Sequence, residues 1–212
     1  MDKGMTYRTI KQEAQAELIE KKSRFIGAAK PVTTEQEALD FINEKRSKYY
    51  DATHNVYAYI ISDNNIARFS DDGEPSGTAG MPVMEVLKKE GLTDLVVVVT
   101  RYFGGTLLGA GGLIRTYGKS AKEGVVAAGI TERVYCHEVL VRAGYDWLGK
   151  IRHMIENGEY LLGEIEYTEE IIVHVGIRYD LLERFQKELT ELSNGALTAE
   201  IVGCRYIDIE VS

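Results

Sequence analysis

The chain has 212 residues, 44% of them hydrophobic, which is enough for one large domain or two small ones with proper cores. Its formal charge of −8 excludes a generally basic nucleic-acid binder, yet residues 1–129 balance 17 Lys and Arg against 17 Asp and Glu, while residues 130–212 carry 8 against 16. No stretch approaches the ~20 apolar residues of a membrane span, and Met1-Asp2-Lys3-Gly4 leads into polar sequence without a signal-peptide core, so a cytoplasmic protein without membrane contact is expected.

In chain order, residues 16–29 read as two short strands around Lys21-Lys22-Ser23. Thr34-Glu35-Gln36-Glu37 has the spacing of a capping box, and Ala38, Phe41, Ile42, Lys45 and Tyr49 follow at helical intervals, predicting a helix over 34–50. Residues 55–62 (NVYAYIIS) are aromatic and β-branched, with residues 66–70 as a hairpin partner across Asp63-Asn64-Asn65. A short helix is predicted over 79–90, because Pro82 is tolerated in a first turn and Gly91 closes the segment. Residues 95–100 (LVVVVT) are continuously apolar and should form a central strand covered on both faces. A glycine-rich turn follows, then a helix with Leu113, Tyr117, Ala121, Val125 and Ala128 on one side and Gly129 at its end.

Residues 130–212 read as βαββαβ, a split β-α-β unit of ferredoxin-like type: a strand over 134–143, a helix over 147–157, a hairpin of 165–167 with 171–179, a helix capped by Asp180, and a last strand carrying Ile207, Ile209 and Val211. In the second hairpin strand, alternation places Ile171, Val173, Val175, Ile177 and Tyr179 inward, with His174 and Arg178 outward. Cys136 and Cys204 both fall in apolar strand-like segments and are expected as packed thiols rather than a disulfide or zinc framework. The whole is α+β, with domains over 1–129 and 130–212.

Two segments have a composition suited to chemistry. In DDGEPSGTAG, residues 71–80, Ser76 or Thr78 can cap the following helix, Gly77 and Gly80 permit close approach, and the amides there suit an anion. Asp71, Asp72 and Glu74 pull the other way, toward cations, basic side chains or the N-terminus of their own helix; the plainer alternative is an acidic loop that fixes how strand and helix meet. In TRYFGGTLLGAGGLIRT, residues 100–116, a strand delivers Arg101 and Tyr102 to a bend containing Gly104 and Gly105, and Gly109, Gly111 and Gly112 lead into a helix whose first turns carry Arg115. A dinucleotide fingerprint fails at Ile114, a P-loop fails at Leu113, and GEPSG lacks nucleophile-elbow spacing. Tight helix-to-sheet packing would itself explain most of those glycines. His54 opens a strand without a second histidine at ligand spacing, so no metal site and no cofactor are expected.

Taken together, DDGEPSGTAGMPV, VVVVTRYFGGTLLGAGGLIRTYGKSA and ATHNVYAY resemble the YigZ/IMPACT family of bacterial and eukaryotic proteins, in detail over residues 16–129. The resemblance implies an N-terminal β/α sandwich like the second domain of a small-subunit ribosomal protein, and a C-terminal ferredoxin-like domain similar to the last domain of the translocation elongation factor. It therefore implies contact with RNA, the ribosome or a translation protein. Eukaryotic relatives moderate translation by competing for an activator of an initiation-factor kinase, using an additional N-terminal domain. Some members carry a peptidase label, for which this sequence offers neither a metal pair nor a nucleophile with its base.

The expectation is a non-enzymatic translation-associated regulator whose binding face is built by residues 71–80 and 100–116, with Arg101 and Arg115 meeting anionic groups. Lys21, Lys22, Arg24 and Arg68 add cations, and Tyr57, Tyr59, Tyr102 and Phe103 are candidate stacking surfaces. The alternative is an enzyme or small-ligand sensor with a phosphate- or nucleotide-like ligand between the two loops, using His54 and Asp72 as acid-base groups. The two readings share one premise, that the acidic turn and the glycine-rich turn are neighbours in space.

Overall fold

A computed structural model describes residues 6–210 of the chain. In chain order the elements are β1 (Thr6–Ile10), β2 (Ala14–Glu20), β3 (Ser23–Pro31), α1 (Glu35–Lys48), β4 (His54–Ile61), β5 (Ile66–Ser70), α2 (Gly80–Lys89), β6 (Leu95–Tyr102) and α3 (Ala110–Ala128). There follow β7 (Ile130–Ala143), α4 (Leu148–Asn157), β8 (Leu161–Tyr167), β9 (Ile171–Arg178), α5 (Leu182–Ser193) and β10 (Ala199–Glu210). Two units result, one running through Glu132 and the other spanning Arg133–Ile209.

In the first unit the sheet order is β2-β3-β6-β4-β5, and each neighbouring pair is antiparallel. The valine run occupies the centre. Leu95, Val97 and Val99 face a core shared with α2 and α3, while Val96 and Val98 face a second core with Ala38, Phe41 and Ile42 of α1. That two-sided cover is why the run shows no alternation. The capping box forms as its spacing requires: the Glu37 amide donates to Thr34 Oγ1, and the Thr34 amide donates to Glu37 Oε2. Lys45 is buried in the stripe, its Nζ held by Glu13 at 2.8 Å and Glu44 at 2.9 Å and lying over the Phe41 ring.

Helix α3 lies flush on β3 because two glycines meet there. A Cβ on Gly27 would stand 2.2 Å from the Ser120 carbonyl oxygen, and one on Gly124 would stand 2.6 Å from the Gly27 carbonyl oxygen. The Leu113, Tyr117, Ala121, Val125 and Ala128 stripe is buried throughout.

The second unit is ferredoxin-like: β7 pairs with β10 and β9, β9 pairs with β8, and α4 and α5 supply Ile151, Ile155, Phe185 and Leu189 to the core. Three local expectations are corrected here. A short 3-10 turn, Tyr179–Leu181, precedes α5, so the residue before the helix is Leu181 and Asp180 makes no cap; it stands 3.7 Å from Arg178 instead. The same turn takes Tyr179 out of the strand's alternation, leaving it exposed and stacked on His137 at 4.7 Å. Cys136 is buried, and burial pushes its thiol pKa up, whereas Cys204 is exposed with its Sγ 3.2 Å from His137 Nδ1. Val211 lies outside the described residues.

Replacing Gly27 with alanine forces helix and strand apart, and the expected cost is about 3 kcal/mol. Urea unfolding should show a lower midpoint at unchanged slope; an unaltered midpoint would mean that α3 lifts off the sheet freely.

Candidate functional site

The site begins with a tight turn at the end of β5. The Glu74 amide donates to the Asp71 carbonyl, and the two central residues take φ of 45° at Asp72 and 88° at Gly73, a geometry that aspartate and glycine accept readily. The turn aims three carboxylates in three directions. Asp71 points at the start of α2, where Oδ1 accepts from the Ala79 and Gly80 amides at 3.0 and 2.8 Å and Oδ2 accepts from the Gly77 amide at 2.9 Å. Asp72 accepts from the Asn55 amide at 2.6 Å and pairs with Arg46 at 2.8 Å. Glu74 turns inward and is buried.

These contacts choose among the roles left open by sequence. The Gly77, Ala79 and Gly80 amides that suit an anion are held by the protein's own Asp71, and the Thr78 amide donates to the Pro75 carbonyl. Neither predicted hydroxyl cap forms: the residue preceding α2 is Ala79, Ser76 is exposed, and Thr78 donates its hydroxyl to the Pro75 carbonyl at 2.7 Å. A carboxylate reaching across the turn satisfies two donors of the helix start at once, which a short hydroxyl cannot do.

Glu74 meets Arg101, delivered by the penultimate residue of β6. Arg101 Nη1 donates to Glu74 Oε1 at 2.5 Å, and Tyr117 of α3 donates its hydroxyl to the same oxygen at 2.7 Å. Arg101 is 5% exposed, and its guanidinium lies between the Phe25 and Phe103 rings at 5.4 and 5.5 Å. Burial first, and then the Glu74 charge, push the Tyr117 hydroxyl far above the usual phenol range, so it remains a donor. His54 completes the cluster. Its Nδ1 lies 2.8 Å from the Asp72 carbonyl, which can only accept, so Nδ1 carries the hydrogen and Nε2 faces Glu74 Oε1 at 3.8 Å.

The glycine-rich bend closes over this cluster. A Cβ on Gly104 would come within 2.0 Å of the Lys22 carbonyl carbon, and its amide donates to Ser23 Oγ at 3.1 Å. Gly105 and Gly109 take φ of 79° and 71°, turning the chain into α3. Gly111 and Gly112 lie in the first turn of that helix, with Gly112 beneath Leu108. Between the two turns is a recess of about 430 Å³, its floor formed by His54, Glu74 and Arg101 and its walls by Pro75, Phe103, Leu107, Leu108 and Leu113.

Acidic turn and glycine-rich turn therefore line one recess, but the two arginines do not share it. Arg101 is tied down as an internal ion pair, which corrects its expected role in contacting an external anion. Arg115 opens into a neighbouring pocket of about 250 Å³ with Lys21, Lys119 and Glu20, and Leu108 lines both spaces. Arg68 stands elsewhere, exposed and paired with Glu35 at 2.8 Å, and Tyr102 donates its hydroxyl to Asp51. Tyr59 is buried with its hydroxyl on Glu35, so of the proposed stacking residues Phe103 is the most exposed. Sequence reading missed Tyr117, Leu107, Leu108 and Lys119 as parts of the site. The spacing of Arg115 and Lys119, one helical turn apart, was a signal for the last of these. Among the described residues no three His, Cys, Asp or Glu side chains are placed to hold a metal ion.

Comparison with known proteins follows the same division of the chain. The model of the Impact N-terminal domain matches residues 21–125, and that of a domain of unknown function (DUF1949) matches residues 141–196. The chain is 46% identical over 191 residues to the IMPACT family member YvyE of Bacillus subtilis, covering 90% of this chain and 88% of the relative. It is 29% identical over 180 residues to the IMPACT family member YigZ of Escherichia coli, covering 84% and 88%. A crystal structure of a hypothetical protein superposes with a TM-score of 0.59 at 26% identity, covering 94% of this chain and 98% of that one.

Two substitutions separate framework from bystander in the acidic turn. Asp71→Ala removes the acceptor of three amides and should lower stability by about 2 kcal/mol, whereas Ser76→Ala should stay within about 0.5 kcal/mol. Glu74→Ala leaves Arg101 charged and unpaired in the interior at a cost of about 4 kcal/mol, much of it recovered when Arg101→Met is added. Thermal and urea unfolding of the four variants check both statements, and equal losses for Asp71→Ala and Ser76→Ala would refute the first.

Proposed function

The chain belongs to the IMPACT family, and on that premise we propose that it is a cytoplasmic, non-enzymatic regulator of translation that works by binding, through the face built from residues 71–80 and 100–116 of its first unit. The single observation that carries this reading is the meeting of the two turns around one solvent-open recess, with the cationic ledge of Lys21, Arg115 and Lys119 beside it. Binding rather than catalysis fits the state of the polar floor. Glu74 Oε1 is engaged by Arg101 and Tyr117, and the hydrogen-bonded Asp72 carbonyl fixes the His54 ring, so these groups hold the recess in shape. The family resemblance contributes the setting, which is RNA, the ribosome or a translation protein; the ledge contributes the means of attracting an anionic partner.

Arg101 is a poor probe of this reading, because removing it strands the buried Glu74 charge. Arg115 and Lys119 are exposed and suit the purpose. In co-sedimentation with purified bacterial ribosomes over a salt series, retention should fall steeply as salt rises and should drop by about tenfold or more for Arg115→Glu with Lys119→Glu. Retention indifferent to salt, or unaltered in the double variant, would overturn the assignment of this face to the ribosome.

A further inference from the structure

The recess and the ledge differ in chemistry, and the difference bears on what kind of partner they admit. The recess walls are branched aliphatics and proline with one ring, Phe103, and one side of that ring is taken by the Arg101 guanidinium. Such walls suit an aliphatic or aromatic side chain inserted end-on better than a stack of bases, which needs a flat open ring. The floor brings little net charge, because the Glu74 carboxylate and the Arg101 guanidinium neutralise one another. Leu107 is 82% exposed at the mouth and Phe103 is 46% exposed, so substantial apolar surface faces solvent on this turn.

Across Leu108 the surroundings change sign. Lys21, Arg115 and Lys119 face a shared pocket in which Glu20 is the one carboxylate among its lining residues. Neither Lys21 nor Arg115 makes an ion pair among the described residues, and Lys119 reaches Glu123 only at 3.8 Å. This local excess of positive charge stands in a segment, residues 1–129, whose acids and bases balance as a whole. An occupant complementary to both halves must carry a bulky apolar group and negative charge within a few residues of each other. Protein segments do this readily, and the pairing of a buried anchor with charged flanks is the usual division of labour at an interface, the anchor holding and the charges steering.

We propose that this face captures an acidic segment of a partner protein, with a leucine or phenylalanine side chain seated between Phe103, Leu107 and Leu108 and neighbouring carboxylates over Lys21, Arg115 and Lys119. The proposal deepens the function above: it rests on the same face, and it names the partner as protein rather than RNA.

A phage-displayed library of random peptides, panned on the full chain with counter-selection on a Leu107→Asp variant, tests the point. Enriched peptides are expected to pair Leu, Phe or Trp with flanking Asp or Glu. A synthetic copy should bind at least about tenfold more weakly to Leu107→Asp and to Arg115→Glu with Lys119→Glu, with circular dichroism showing both variants folded. Enrichment of basic or uncharged peptides, or binding indifferent to Leu107→Asp, would overturn the proposal. So would an outcome in which no peptide is enriched while a short uridine-rich RNA binds in a manner that depends on Arg115. That last result refutes the protein partner yet leaves the face as the binding surface, whereas peptide capture without salt-dependent ribosome retention refutes the translational setting alone.

Discussion

A buried carboxylate, Glu74, organises the first unit's face. Its Oε1 joins Arg101 at the end of the central strand to Tyr117 in the middle of α3, so three segments distant in sequence meet at one oxygen. A pair of this kind contributes little net stability compared with well-packed apolar residues, because desolvating both charges consumes most of what their attraction returns. Its consequence is geometric. With the pair intact, the acidic turn can only sit against the glycine-rich bend, and the recess between them exists; with either partner missing, the other is a lone charge in the interior.

Backbone contacts at glycine extend that constraint toward the cationic ledge. Gly27 and Gly124 let α3 rest directly on β3, and Gly104 lets the bend rest on the Lys22 carbonyl at the tip of the β2–β3 hairpin. Those contacts bring Lys21 of the hairpin beside Arg115 and Lys119 of the helix. Here the glycines act through proximity between helix, hairpin and bend. The protein has thus used a loop composition often associated with ligand phosphates to assemble its own surface.

The acidic turn shows how far local reading reaches. That DDGEPSGTAG would carry carboxylates looking for basic groups or a helix start was legible, and both kinds of partner are found. Which carboxylate takes which partner was not legible: Asp71 to the amides of α2, Asp72 to Arg46 and Asn55, Glu74 to Arg101. Arg46 and Arg101 come from α1 and β6, so the choice depends on where those elements lie in space. Arg101 was misread for the same reason. An arginine at the end of a strand looks available in sequence, and only the presence of Glu74, Phe25 and Phe103 around it makes it internal. Asp180 and Tyr179 were misjudged on a smaller scale, since a single 3-10 turn shifts helix start and strand alternation without any composition that announces it.

What the sequence by itself determined was the set of elements and their buried faces: the capping box of α1, the unbroken valine run of β6, the Leu113 to Ala128 stripe and the βαββαβ order of the second unit. Those features are written in periodicity and capping, which act over a few residues and need no knowledge of the rest of the chain. The tertiary structure alone decided which charges are internal and which face solvent, and that the apolar recess and the cationic ledge adjoin across Leu108. Such outcomes turn on desolvation and close approach between segments far apart in sequence, and no local pattern encodes the distance between them.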